Sequence, residues 1–316
     1  MKVIYVNKKN TSLANACILC LGNFDGLHLG HQYIIKKVIE EARSSKYPAA
    51  VLTFRPHPGN VLNIKQPIKM LMRFQERLKL LERLGVDLCY VINFDKQFSK
   101  LTPKCFIRDI LIAKINPGKV IVGRNFRFGK NGAGDIRLLA NYGFRLKVIN
   151  ARKISRQKIS SSLIRRLLEH SRIEEANRFL GRSYSIQGEI VSGRRFGRRI
   201  GFPTLNINYD SGVVLPLGIF SGFINIAGRF HRAAINIGFQ PTLNKRRTRP
   251  VLEVHVLRFK KNIFNKKVEV FLTKKIRSEK KFSSILGLKR AIKQDLKKIS
   301  ASKIIVPALI KKLKKG

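Results

Sequence analysis

As far as about residue 180 the chain alternates short continuous apolar runs with stretches whose apolar residues recur every three or four positions. ACILCLG, PAAVLTF, DLCYVINF, KVIVG and FRLKVI predict strands. HQYIIKKVIEEARSS, RFQERLKLLERLG and PKCFIRDILIAKI predict the helices between them. Such alternation implies a parallel sheet with helices on both faces, a Rossmann-like α/β arrangement. Near Gly181 the pattern changes. From YSIQGEIVSG to KVEVFLTKKI, short runs of period two are separated by glycine-containing turns, the pattern of a small antiparallel barrel or sandwich. A last amphipathic helix carries Ile285, Leu288, Ile292, Leu296 and Ile299 on one stripe, and the tail KKLKKG is expected to fray. The expected domains are therefore residues 1–180 and 181–316.

At 316 residues the chain can bury two cores. Its charge is unusual: 65 Lys and Arg stand against 18 Asp and Glu, a formal +47. An excess of this kind points to an anionic partner or to a strongly solvated surface. Lys36, Lys37, Lys260, Lys261, Lys266 and Lys267 are scattered rather than gathered in a stripe, which favours solvated surface over a specific nucleic-acid partner. Cys17 and Cys20 form a CxxC, but on a strand that spacing points the thiols to opposite faces, so buried, reduced cysteines are expected. No apolar run is long enough to span a bilayer and no signal-peptide core is visible, so the expected location is cytoplasmic, with no membrane partner.

The stretch GNFDGLHLGH, residues 22–31, follows the first of these strands. Asn23 and Asp25 then lie at a strand's carboxyl end, where open α/β sheets bind ligands. Gly22 and Gly26 permit a tight turn, and a helix starts near His28 or Gly30. At spacing three, His28 and His31 share one helical face. Free amides at the helix start favour an anion, so two imidazoles there suit phosphate handling better than zinc. KISSSLIRRLL adds Ser160, Ser161 and Ser162 at a second helix start, with Arg165 in the first turn. In VGRNFRFGKNGAGD, Asn125 is placed to read a base or ribose, while Phe126 and Phe128 either stack on a ring or plug the core.

GxFDGxHxGH, TFxPHP, VGxxFxFG and ISSxxIR, in this order, resemble the N-terminal half of the bacterial bifunctional riboflavin kinase/FMN adenylyltransferases, the FAD synthetases. The paired-histidine motif alone is shared with other nucleotidyltransferases. The resemblance implies that Asn23, Gly30, His28 and His31 bind ATP phosphates, with Ser161, Ser162 and Arg165 closing over them. It places Asn125 near the nucleotide, and Phe54, Pro56 and His57 where flavin binds. The attacking FMN phosphate oxygen is already ionised near neutral pH, so this site needs no general base and is expected to be a cradle without carboxylates. Arg55 stands where the family commonly has Glu, and Arg124 where an acid is frequent.

Phosphorylating riboflavin is a different problem, because a primary hydroxyl must lose a proton. SGRRFGRRIGFPTLN supplies Gly193, Gly197 and Gly201 ahead of Thr204 and Asn206, whose hydroxyl and amide oxygens suit Mg²⁺. Glu253 in VLEVHVLRF and Glu269 in KVEVFL are rival carboxylates. GRRIGFPTLN, GIFSGFI, INIGFQPT, LEVHVLRF and IRSEKKF resemble the riboflavin kinase domain, whose PTAN turn is matched by Pro203, Thr204, Leu205 and Asn206. That likeness implies that Thr204 and Asn206 hold Mg·ATP, that Gly193 and Gly201 belong to the nucleotide turn, and that Glu253 is the base. It also sets Arg277 near the flavin or its phosphate. The expected activity is riboflavin to FMN and then FMN to FAD, with ATP and Mg²⁺. The alternatives are a chain keeping only the kinase step, or a basic nucleic-acid-binding protein on a degenerate nucleotidyltransferase fold.

Overall fold

Continuous burial of Ile18–Leu21 and Ala49–Leu52 requires protein on both sides of those segments, and both lie in the middle of one parallel sheet. The computed structural model describes residues 1–6, 16–63, 65–150, 153–154, 157–193, 196–239, 249–259 and 263–301. Lys260, Lys261 and the tail residues 311–316 lie outside the described residues. Two compact units divide the chain, Met1–Ser161 and Ser162–Gly316.

The first unit holds strands β1 Lys2–Val6, β2 Ile18–Leu21, β3 Ala49–Arg55, β4 Leu88–Asn93, β5 Lys119–Gly123 and β6 Leu146–Ile149 in the order β1-β4-β3-β2-β5-β6. All five pairings are parallel. Its helices include α1 Leu29–Ser45, α2 Pro58–Leu62, α3 Phe74–Leu84, α4 Lys96–Ser99, α5 Pro103–Cys105 and α6 Ile136–Asn141; α5 runs on into a π-helix over Phe106–Ile115. On one sheet face, Ile35, Val38 and Ala42 of α1 and Leu78 and Leu81 of α3 form a core with Cys20 and Cys89. On the other, Phe106, Ile107, Leu111 and Leu139 pack with Cys17 and Leu19. The two CxxC thiols thus face opposite layers, as the strand period requires. A two-strand ribbon, β7 Lys153–Ile154 and β8 Gln157–Lys158, follows β6.

The second unit opens with α7, which starts at the boundary (Ser161–Glu169), and α8 Ile173–Leu180. Strands β9 Tyr184–Val191, β10 Leu205–Tyr209, β11 Gly218–Ile226, β12 Arg229–Gly238, β13 Val251–Val256 and β14 Lys267–Arg277 then close a barrel in the order β10-β13-β12-β11-β14-β9. Every pairing is antiparallel and β9 also bonds β10, so the sheet has no edge and the sandwich alternative falls. A short helix, α9 Phe196–Arg199, precedes β10, and α10 Ile285–Ala301 follows β14.

Two candidate active sites

The first site is a turn held in costly torsions. Between β2 and α1, Phe24, Gly26 and Leu27 adopt φ of 51°, 76° and 38°. Left-handed torsions in Phe and Leu cost about 1–3 kcal/mol each and persist only where neighbours over-determine them. At Gly26 a Cβ would also come within 2.5 Å of the Leu71 side chain. Asp25 is 1% exposed, and both its carboxylate oxygens accept the Leu71 amide at 3.1 Å. Carboxylate-free surroundings, expected from the sequence, therefore fail on Asp25, which serves to fasten the turn. Thr53 Oγ1 donates to the Asn23 carbonyl at 3.2 Å, and Arg77 Nη1 donates to the same carbonyl. Ser161 Oγ donates to the Asp25 carbonyl at 2.9 Å, which commits its hydroxyl proton to the turn.

α1 begins one residue after His28, which is its N-cap rather than a member of its first turn. Its Nδ1 accepts the His31 amide at 3.2 Å, so in the neutral ring Nε2 carries the hydrogen and is a donor. The two imidazoles stack with centroids 3.7 Å apart and planes 15° from parallel. Gly30 leaves room for this, since a Cβ there would lie 3.2 Å from the His28 ring. The Leu29 and Gly30 amides open the helix, out of reach of any intrahelical carbonyl and at the positive end of its dipole. Two stacked imidazoles and a helix start offer donors of the kind that suits anionic oxygens.

Other predicted residues of this unit fall as follows. Phe54 packs among Phe94 and Phe98, with centroids at 5.6 and 6.2 Å. Pro56 lies just beyond the end of β3, and His57 Nδ1 accepts the Gly59 amide at 3.1 Å, capping α2. Arg55 lies over the Phe74 ring at 5.0 Å. Asn125 and Arg124 are exposed on the loop after β5. Phe128 is a core plug and half-buried Phe126 packs against the same core, so the stacking alternative is not needed to explain them. Ser162 and Arg165 belong to the second unit, on α7, exposed and half-buried respectively.

The second site is a cavity of 1250 Å³ bounded by the outer face of β10, β13 and β12 and by α10. Burial alternates along β13: Leu252, Val254 and Val256 are buried, whereas Val251, Glu253 and His255 face the cavity. Asn206 is in register with Glu253, and Glu253 with Asn236. An amide–carboxylate–amide row therefore crosses three strands, with Asn236 Nδ2 donating to Glu253 Oε2 at 3.4 Å. Thr204 lines the same wall, two residues before Asn206. Glu269 does not line it; it pairs with Asn225 and Gln187 elsewhere on the barrel. Sequence reasoning missed Asn236, an isolated amide that only strand register brings beside Glu253.

The glycines here serve close approach. A Cβ on Gly193 would lie 2.1 Å from Asn206 Nδ2, and one on Gly197 would meet the Phe202 carbonyl at 2.4 Å. Gly201 sits at φ 89°. Opposite, Leu288, Ile292 and Leu296 of α10 face the cavity, and exposed Phe196, Phe239 and Ile285 line it too. Arg277 lines the cavity but is clasped by Asp295 of α10, with Nε at 3.1 and 2.9 Å from the two carboxylate oxygens and Nη2 at 2.8 Å. Glu279, exposed overall, also lines it; partial desolvation at the cavity wall raises its carboxyl above the ordinary 4.5, against the Phe239 amide and Arg277, which lower it. The amides, hydroxyl and carboxylates on one side, with apolar walls on the other, suit an amphipathic aromatic substrate and a hard cation.

Comparison with known proteins gives matches in both units. The family described as FAD synthetase matches residues 10–163, and the family described as riboflavin kinase matches residues 180–303. A bifunctional riboflavin kinase/FMN adenylyltransferase of Buchnera aphidicola from Schizaphis graminum is 36% identical over 87% of this chain and 90% of its own length. The proteins of the same description from Listeria monocytogenes and Escherichia coli are 35% and 33% identical, each over 88% of this chain and 90% of theirs. A solved structure from Streptococcus pneumoniae, described as a macrolide-efflux protein, aligns with TM-score 0.86 at 27% identity, covering 95% of this chain and 99% of that one. Among the described residues no helix is long and apolar enough to cross a membrane.

Proposed function

Because the chain belongs to the bifunctional riboflavin kinase/FMN adenylyltransferases, we propose that its barrel phosphorylates riboflavin and its α/β unit adenylylates the resulting FMN, each site with the residues described above. Neither the kinase step alone nor a nucleic-acid-binding role is needed to explain a chain related to whole bifunctional enzymes along both units. The register row that sets Glu253 between Asn206 and Asn236, on the wall carrying Thr204, is the observation that carries the division of labour.

In the barrel, Glu253 accepts the proton of the riboflavin primary hydroxyl as that oxygen attacks the γ-phosphorus of ATP and ADP leaves. Thr204 and Asn206 offer hydroxyl and amide oxygens that fit Mg²⁺, a cation that takes few protein ligands beside nucleotide phosphates. Bound there, it would neutralise phosphate charge. The apolar stripe of α10, with Phe196 and Phe239, supplies a wall for the isoalloxazine ring.

In the α/β unit the nucleophile is an FMN phosphate oxygen. It bonds to the α-phosphorus of a second ATP, the bond to the bridging oxygen breaks, and pyrophosphate leaves. No proton has to be removed, so the residues position and neutralise. The Leu29 and Gly30 amides and His28 Nε2 would donate to phosphate oxygens, with His31 stacked alongside. Asn125 would contact the nucleoside. The Phe54–Pro56–His57 segment would meet the flavin. A cytoplasmic setting fits an ATP-consuming pair of reactions.

The test is to incubate the purified chain with riboflavin, ATP and Mg²⁺ and separate the flavins. FMN followed by FAD supports both sites; FMN alone refutes the reading of the first; neither product refutes the reading of the second, and FAD formed from separately supplied FMN and ATP then decides the first.

A further inference from the structure

We infer that Arg77 is a positioning residue of the first site: it grips the Asn23–Asp25 turn from the protein interior so that the turn presents its outer amides and the Asn23 side chain to nucleotide phosphates. The role assumes the adenylyl-transfer reading of that site.

Arg77 lies at the end of the first turn of α3, in a helix whose pattern reads as ordinary amphipathic surface. It is nevertheless only 3% exposed. An apolar side chain of similar volume is frequently as good or better for stability at such a position, so packing alone does not explain a guanidinium there. Its partners do. Nη1 donates to the Asn23 carbonyl and, at 3.1 Å, to Thr53 Oγ1; Thr53, itself fully buried, donates to that same carbonyl. The guanidinium packs on the Phe74 ring at 5.1 Å. Burial disfavours its charge, and Asp25, ahead of Cys89, is a nearby group that favours it. Polar partners of the buried cation therefore cluster on and under one turn.

The geometric consequence follows from the planar trans peptide. C=O and N–H of one peptide unit point in opposite directions. With the Asn23 carbonyl drawn inward by two buried donors, the Phe24 N–H points away from the core. The Ser161 bond to the Asp25 carbonyl and the Gln32 Nε2 bond to the Leu27 carbonyl, at 2.7 Å, pin two further peptides of the turn. Positive φ at Phe24 and Leu27 is strained, and pinned carbonyls are what keep such a turn from relaxing.

The test measures FAD formed from supplied FMN and ATP by the full chain carrying Arg77→Met, Arg77→Lys or Thr53→Val. Phosphorylation of riboflavin by the same preparations is the control. Arg77→Met should raise KM for ATP in adenylyl transfer by about tenfold or more and lower kcat, with kinase constants unchanged within about twofold. Arg77→Lys should recover part of the loss, and the isosteric Thr53→Val should shift KM in the same direction by about threefold. Unchanged KM for ATP in both Arg77→Met and Thr53→Val, or activity falling only with the folded fraction, overturns the role. If Arg77→Met does not fold, Thr53→Val alone decides. A wild-type chain that makes FMN but no FAD overturns the site reading and the role with it.

Discussion

Asp295→Ala should damage the kinase site without touching its chemistry. Asp295 and Arg277 are 8% and 18% exposed at their side chains and meet through three N–O contacts of 2.8–3.1 Å. Removing one partner of a buried pair costs about 3–5 kcal/mol, mostly because the other charge is stranded; water reaching Arg277 reduces this to about 2–3 kcal/mol. For a unit of this size that corresponds to a melting-temperature fall of about 4–12 °C. Because Arg277 and Asp295 join the end of β14 to α10, Leu288 and Ile292 should lose their fixed place on the cavity wall. KM for riboflavin should therefore rise more than KM for ATP, and FAD formation from supplied FMN should stay at the wild-type level. Arg277→Met/Asp295→Leu, which removes both charges, should regain most of the melting temperature. Calorimetry and separate steady-state assays of the two reactions read this out. A melting shift below about 1 °C with unchanged KM for riboflavin would refute the reasoning.

Glu279→Gln should melt above wild type near about pH 7 and match it below pH 4.5, because partial desolvation, helped by the Glu253 charge, raises the folded carboxyl above that ordinary value. The folded chain binds this proton more tightly, so its stabilisation is complete below the unfolded value and disappears as pH rises through the folded one; calorimetry across that range checks the sign. Gly193→Ala, whose Cβ would stand 2.1 Å from Asn206 Nδ2, should cut FMN formation by about tenfold or more while FAD formation from supplied FMN is spared; flavin chromatography reads both. Burial pushes the Cys17 and Cys89 thiols up to about 12 and raises Cys20 as well, so in the native chain only half-buried Cys105 should react quickly with a thiol reagent near about pH 8. All four should react after unfolding.

The periodic elements were legible because burial imposes a period. β2 to β6 and α1 appear where apolar runs and helical spacing predict them. β1 was not read: KVIYV is a short edge strand whose burial is mostly partial, so its pattern is weak. Helical spacing correctly showed an apolar stripe on α10, but spacing does not distinguish a stripe packed into a core from one facing a cavity. Only Ile299 of that stripe is fully buried, and Leu288, Ile292 and Leu296 line the cavity instead. The choice between Glu253 and Glu269 needed the barrel's register and faces. Arg77 and Asn236 were invisible for a common reason: each owes its setting to residues far along the chain, Asn23 and Glu253, which no local pattern links to it.

Two single substitutions, each in its own variant, test the division of labour most directly. His31→Ala removes the imidazole stacked on His28, and Glu253→Gln removes the proposed proton acceptor while keeping its shape. Each variant is given riboflavin with ATP and Mg²⁺, and separately FMN with ATP and Mg²⁺, and initial rates are taken from the separated flavins. The predicted result is a crossover: His31→Ala forms FMN at the wild-type rate but loses FAD, and Glu253→Gln forms FAD from supplied FMN while FMN formation falls by about 10²–10⁴. Equal losses in either variant of FMN formed from riboflavin and of FAD formed from supplied FMN, or wild-type FMN formation by Glu253→Gln, would contradict it.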